Sequence, residues 1–248
     1  MIINENKLRK IIKRTLINEN IVDVAKDYLG HTGDDASGDL GSMNFKFEPV
    51  ANSNVVSIAE KENTFWKNGK LKEKDKKAYD RLKTYWDNLS DAWPESRWTP
   101  DTPWSAAFVS YCNKKSGETF YDSAAHTVYA TKALKNRQEI SKDPSKFNGK
   151  TVHVLFLKGE AKPTIGDGLF YLRGGSLTSW INGGGGQSPS HTDIFIGNGM
   201  AIGGNLSNSC VKTKAFGKHE ALIKKVKITG KSDSSDSKEK SDDKDKKS

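Results

Sequence analysis

The chain has 248 residues, 34% of them hydrophobic, and a formal net charge of +9. That length holds one large domain or two small ones, and no run of residues is apolar enough to read as a membrane-crossing helix. The basic balance suits a polyanionic partner or a bacterial wall, but no compact Lys/Arg patch with interleaved aromatics argues for specific nucleic-acid binding.

The first twenty residues, "MIINENKLRKIIKRTLINEN", carry +3 and lack the apolar core of a secretory signal. The chain is therefore expected to be made in the cytoplasm and to reach any target outside it by another device. Residues 7 to 17 predict a short basic amphipathic helix, with Leu8, Ile11, Ile12 and Leu16 on one face. It reads as a docking peptide for a phage or injection-apparatus assembly, or as a surface helix. A further helical pattern over Ile21–Leu29 completes an N-terminal segment, 1–30. Residues 31–53, rich in Gly, Asp, Ser and Asn, read as a linker. His31, Asp34, Asp35 and Asp39 are too scattered there for a metal site.

The main domain is expected over 54–229. "VVSIAEKENTFW" and "KEKDKKAYDRLKTYWDNL" predict helices, the second with a core stripe of Tyr79, Leu82, Tyr85, Trp86 and Leu89. Trp93 and Trp98 frame a loop. It leads to "TPDTPWSAAFVSYCNKKSG", a helix with Thr102 as its cap, Pro103 in its first position and Gly117 just past its end. The pattern then changes period. Strands are predicted at 151–157, 167–172, 191–196, 200–204 and 222–228, with a glycine-rich flap, Gly183–Gly186, just before His191. Helices first and strands afterwards predict an α+β fold, its N-terminal helices packed on an antiparallel sheet. Residues 230–248 form a charged tail. Its last eighteen residues are six Lys, six acids and six Ser, with too little apolar surface to offset ordering entropy.

Ser105 falls in the first turn of its helix, where backbone N–H groups are unpaired and the helix dipole is positive. A hydroxyl there is not ionised by a dipole, so a nucleophilic Ser105 needs a general base. His191 opens a strand and is the expected base, with Asp193 on the same strand face or Asn205 to orient it. His126 is a second acid–base or substrate-binding candidate, and Ser123 a cap for its helix. His153, mid-strand, reads as structural. Cys112 and Cys210 have no metal or redox spacing, and Cys112 lies in an apolar helical stretch. No cofactor is implied, and no histidine pair has zinc-ligand spacing.

The motifs "PWSAAFVSYCNKKSG", "SAAH", "GDGLFYLRGG", "SHTDIFIG" and "AIGGNLSNS" occur in the order of a bacterial and phage family of unknown function. That family resembles the CHAP and NlpC-type cysteine peptidases, which have a papain-like fold, and the resemblance spans residues 54 to 228. It implies a cell-wall amidase or endopeptidase acting on peptidoglycan. Ser105 stands at the nucleophilic cysteine, His191 at the catalytic histidine and Asn205 near the third polar residue; Trp104 and His126 are the expected substrate contacts beside them. The serine departs from the peptidase pattern. It is either native, as in the family this chain most resembles, or an introduced Cys→Ser replacement. It also leaves a non-catalytic wall-binding module, or a virion or injected protein with a degenerate cleft, as alternatives.

Overall fold

A computed structural model describes residues 40–41, 43–90, 98–215 and 219–232. The readings made for residues 7–17 and 21–29, for His31, Asp34, Asp35 and Asp39, for Trp93 and for the tail beyond 232 lie outside the described residues.

The described chain is α+β. Five helices are α1 (Ser53–Phe65), α2 (Lys76–Asp87), α3 (Ser105–Lys115), α4 (His126–Lys142) and α5 (Leu177–Asn182). Seven strands are β1 (Phe45–Pro49), β2 (Thr151–Leu157), β3 (Gly168–Leu172), β4 (Ser190–Gly197), β5 (Met200–Leu206), β6 (Ser209–Lys214) and β7 (Ala221–Lys231). They form one sheet with every neighbouring pair antiparallel, in the order β1-β7-β3-β4-β5-β6, and β2 pairs with β7. Val226 is paired with both Val152 and Pro49, and Ile223 with both Leu155 and Gly168. The eleven-residue β7 thus has β2 along one edge and β3 and β1 end to end along the other.

Local chemistry explains most boundaries. Asn52 starts α1 by accepting from the Val55 N–H at 3.2 Å. Ala78, Leu82, Tyr85 and Trp86 of α2 are buried at helical spacing. Tyr79, expected in the same stripe, sits at its edge, 38% exposed, against Trp98 at 5.4 Å. Gly117 follows α3 at φ +90°, and the Glu118 N–H reaches back to the Asn113 carbonyl at 2.8 Å, closing the helix in the left-handed manner its sequence predicts. Both faces of the sheet carry apolar residues. Leu155 and Ile223 join the large cluster under the helices, while Val154, Phe156, Leu222 and Val226 join a second.

Three elements depart from the expectation. β1 lies within the segment read as linker, where Phe45 is buried and pairs opposite β7. β6 follows β5 through Ser207 and Asn208, both at positive φ. α5, not predicted, lies just before the glycines read as a flap: Ser176 caps it by accepting from the Ser179 N–H at 3.4 Å, and Leu177, Trp180 and Ile181 are buried. The glycines after it are pinned. Trp180 Nε1 donates to the Gly186 carbonyl at 2.7 Å, and a Cβ on Gly185 would meet Thr131 Oγ1 at 2.5 Å. Positive φ at Gly184, Gly185 and Gly186 suits glycine, and close packing on α4 adds to it at Gly185.

Candidate active site

α3 begins later than its sequence suggests. Thr102 Oγ1 accepts from the Thr99 N–H at 2.8 Å, closing a turn instead of capping the helix. Trp104 is the N-cap residue, without a side-chain cap bond, and the first backbone bond runs from the Phe108 N–H to the Trp104 carbonyl at 2.9 Å. Ser105 is therefore the first helical residue. The N–H groups of such a first turn have no partner inside the helix.

Trp104 is fully buried, stacked on Trp66 at 4.8 Å. Its indole donates to Glu73 Oε2 at 3.0 Å. It is a core anchor for α3 and not the substrate contact expected of it. Asn205 belongs to the same anchor. At φ +56° at the end of β5, its amide end faces Glu73 Oε2 at 3.3 Å and the Trp104 N–H at 3.2 Å; assigned so that both are satisfied, the nitrogen donates to Glu73 and the oxygen accepts from Trp104. Asn205 thus fixes the residue before Ser105 and does not orient His191, which corrects the triad expectation.

The hydroxyl of Ser105 meets a different histidine from the one expected. Ser105 Oγ lies 2.7 Å from His126 Nε2. His126 is the first residue of α4, after Ser123 Oγ has accepted from the Ala125 N–H at 3.1 Å. Its Nδ1 is hydrogen-bonded to the Tyr129 hydroxyl, one turn along the same helix. Burial, with the neighbouring His191 and Arg173 adding to it, holds His126 well below the ordinary histidine range. The ring is therefore neutral near pH 7. Burial also raises the Tyr129 phenol far above its usual range, so it stays a hydroxyl. When that hydroxyl accepts from Nδ1–H, the lone pair of His126 sits on Nε2, facing Ser105.

His191 is occupied elsewhere. Arg173 Nη2 donates to its Nδ1 at 2.9 Å, and its Nε2 donates to Asp193 Oδ1 at 2.8 Å. A guanidinium only donates, so the ring proton must be on Nε2. Both nitrogens are committed, which leaves none for Ser105. The structure nevertheless brings the two histidines together, with ring centroids 5.2 Å apart. Ser105, His126 and His191 are 5%, 6% and 0% exposed, so reacting groups here would be largely out of water. Register places His191 opposite Tyr171 and Asp193 opposite Leu169, putting both side chains on one face of β4.

Two glycines make room for this packing. A Cβ on Gly204 would meet the Phe108 ring of α3 at 2.7 Å, and one on Gly203 would collide with the Asp193 carboxylate. The "GGN" strand end thus lets α3 close on β5 and seats Asp193 behind His191. The cysteines take no part. Both are free and buried, and burial pushes both thiols well up. His153 is buried, stacked on Phe120 at 4.4 Å, with burial lowering it to about 3. Among the described residues no group of three His, Cys, Asp or Glu side chains is placed to hold a metal, and no helix is long and apolar enough to cross a membrane.

The sequence pattern of a family described as an uncharacterised protein conserved in bacteria (DUF2272) matches residues 57–238. The chain belongs to the DUF2272 family. No curated protein and no solved structure matches it. The site in this DUF2272 chain also uses residues that the sequence motifs do not single out. Tyr129 had a signal in the His126-x-x-Tyr129 spacing, which puts both side chains on one helical face. Arg173 lies within the "GDGLFYLRGG" motif but was not singled out in it, and Glu73 had no signal, since only the sheet register and the α3 contact bring them in.

Proposed function

We propose that this DUF2272 chain is a serine-dependent hydrolase of amide bonds in peptidoglycan, an amidase or endopeptidase in a papain-like domain related to the CHAP and NlpC peptidases. The observation that carries the chemistry is the 2.7 Å approach of Ser105 Oγ to a neutral His126 Nε2 at the unpaired start of α3. The wall substrate rests on the motif resemblance.

Ser105 Oγ attacks the carbonyl carbon while its proton passes to His126 Nε2. The oxyanion is met by first-turn N–H groups of α3. His126 then gives the proton to the leaving amine as the carbon–nitrogen bond breaks. Water, deprotonated by the same ring, hydrolyses the acyl-Ser105 ester and restores the hydroxyl. Tyr129 holds the ring in the tautomer that accepts from serine. Sacculi incubated with the purified full chain should release muropeptides detectable by mass spectrometry, and Ser105→Ala should cut the release about a thousandfold. No release by either the native chain or Ser105→Cys rejects the proposal.

One observation favours a second reading, a wall-binding module. The partner of His126 is a phenol, and the charge beside it is the Arg173 cation, which opposes formation of an imidazolium. Sacculus binding that survives Ser105→Ala combined with His126→Ala, without turnover by the native chain, would favour that reading.

A further inference from the structure

The hydrolase scheme makes no use of Arg173, His191 and Asp193, although all three adjoin the site. They form a line in which His191 is the buried middle member, between the partly buried Asp193 and the exposed Arg173. Asp193 Oδ1 accepts from His191 Nε2 at 2.8 Å, and His191 Nδ1 accepts from Arg173 Nη2 at 2.9 Å. His191 is fully buried, whereas Arg173 is exposed. The Arg173 backbone N–H donates to the Pro189 carbonyl at 2.6 Å, which fixes the residue at the end of β3 beside the start of β4.

A guanidinium has five N–H donors and most often meets a carboxylate or phosphate. Here Nη2 serves an imidazole nitrogen, the guanidinium also hydrogen-bonds the Tyr171 side chain, and among the described residues no carboxylate forms an ion pair with Arg173. The other described arginines differ. Arg137 pairs with Glu160 and Arg81 with Glu62. The nearest acid along the line, Asp193, is held off by the thickness of the imidazole. Gly174 and Gly175 follow, exposed, and a Cβ on either would meet nothing within 4 Å. Open space therefore borders a cation that stands beside the Ser105–His126 pair.

We infer that Arg173 reads a carboxylate of the ligand next to the bond presented to Ser105, with His191 and Asp193 as positioning residues that hold its guanidinium at the mouth of the site. The substrate class is an acidic peptide. Its position relative to a scissile bond rests on the hydrolase reading, while its binding does not. A charge-assisted contact of this kind changes affinity by about tenfold to a hundredfold.

The test uses the purified full chain and two synthetic tetrapeptides of wall-stem composition, one with free carboxylates and one fully amidated. Binding is read by calorimetric titration and turnover by mass spectrometry. The native chain should bind the free-acid peptide about tenfold to a hundredfold more tightly. Arg173→Gln should bring the two affinities within about threefold of each other, with Arg173→Lys between. Asp193→Asn should weaken the preference by several-fold without changing the circular dichroism of the fold. Equal affinities in the native chain, no binding of either peptide, or a preference that survives Arg173→Gln overturns the inference. Arg173-dependent binding without turnover upholds it and counts against the hydrolase. Turnover indifferent to the carboxylates upholds the hydrolase and overturns the inference.

Discussion

Two histidines stand 5.2 Å apart in this protein and have opposite circumstances. His126 touches a hydroxyl and a phenol, and burial keeps it neutral. His191 is clamped between a guanidinium and a carboxylate, with both ring nitrogens taken. Position in a motif string favoured His191 as the base; hydrogen-bond capacity favours His126. A ring whose nitrogens are already satisfied cannot accept a further proton without breaking a bond.

Glutamine substitution breaks this comparison most sharply. The glutamine amide has an acceptor and a donor, so His191→Gln can still face Arg173 and Asp193, while His126→Gln cannot act as a base at Nε2. Loss of about a thousandfold in muropeptide release is expected for His126→Gln and for Ser105→Ala, against about tenfold or less for His191→Gln. Equal losses would reverse the assignment of the two rings.

The two glycines of β5 separate the regions by a second route. Gly204→Ala presses on Phe108 and should destabilise the fold by about 1–3 kcal/mol, lowering the melting temperature and disturbing Ser105 through α3. Gly203→Ala presses on Asp193 and should leave the Ser105–His126 contact while loosening His191 and Arg173. Site-resolved NMR of the two imidazoles would distinguish the cases. Tyr129→Phe leaves the buried Nδ1 without its partner. We expect a cost of about 1–3 kcal/mol in chemical unfolding and about a tenfold drop in turnover as the ring loses its tautomer preference.

The smallest effects concern pH. Because His126 is held below the ordinary value of 6.5, the acid limb of the rate profile should fall below pH 6.5, since the base stays unprotonated there. His126 and His153 both have folded values below the unfolded 6.5. The unfolded chain binds more protons below that pH, so their contribution to stability is complete above 6.5 and is lost as pH falls toward the folded values, about 3 for His153. Asp167, raised to about 6 by burial although the neighbouring Lys224 cation pulls it down, works in the other direction between its unfolded 3.8 and 6. His153→Phe, which keeps a ring against Phe120, should flatten the acid slope of the melting temperature.

Much of the fold was legible in the sequence. β2 falls on the predicted 151–157, and β3, β4, β5 and β7 contain or overlap their predicted runs, because short runs of β-branched and apolar residues bounded by turn residues mark a strand even where both of its faces are covered. β1 was hidden by the glycines and asparagines around Phe45 and Phe47, and α5 by those around Leu177 and Trp180. In the site, Ser105, His126, His191 and Asp193 were all singled out, and the structure gathers them. The choice of partner for Ser105 was not legible. It depends on α4 placing His126 within hydrogen-bond reach of α3, and on Arg173 arriving from β3, a matter of tertiary distances that no local spacing encodes. Asn205 was assigned to the cleft as a polar group to orient His191 and by the motif resemblance, and Trp104 as the aromatic neighbour of Ser105. Their shared bonds to Glu73 place them in the support of α3 instead.

The position of β7 bears on how the protein comes into being. Strands β1 and β2 find their ladder partner in residues 221–231, and β3 finds one of its two there. On the ribosome, the sheet cannot close until that segment has cleared the exit tunnel, so Ser105 and His126 are translated long before the framework that aligns them exists. A nascent chain stalled before residue 221 should be protease-sensitive and without function, so any hydrolytic capacity waits on the synthesis of β7.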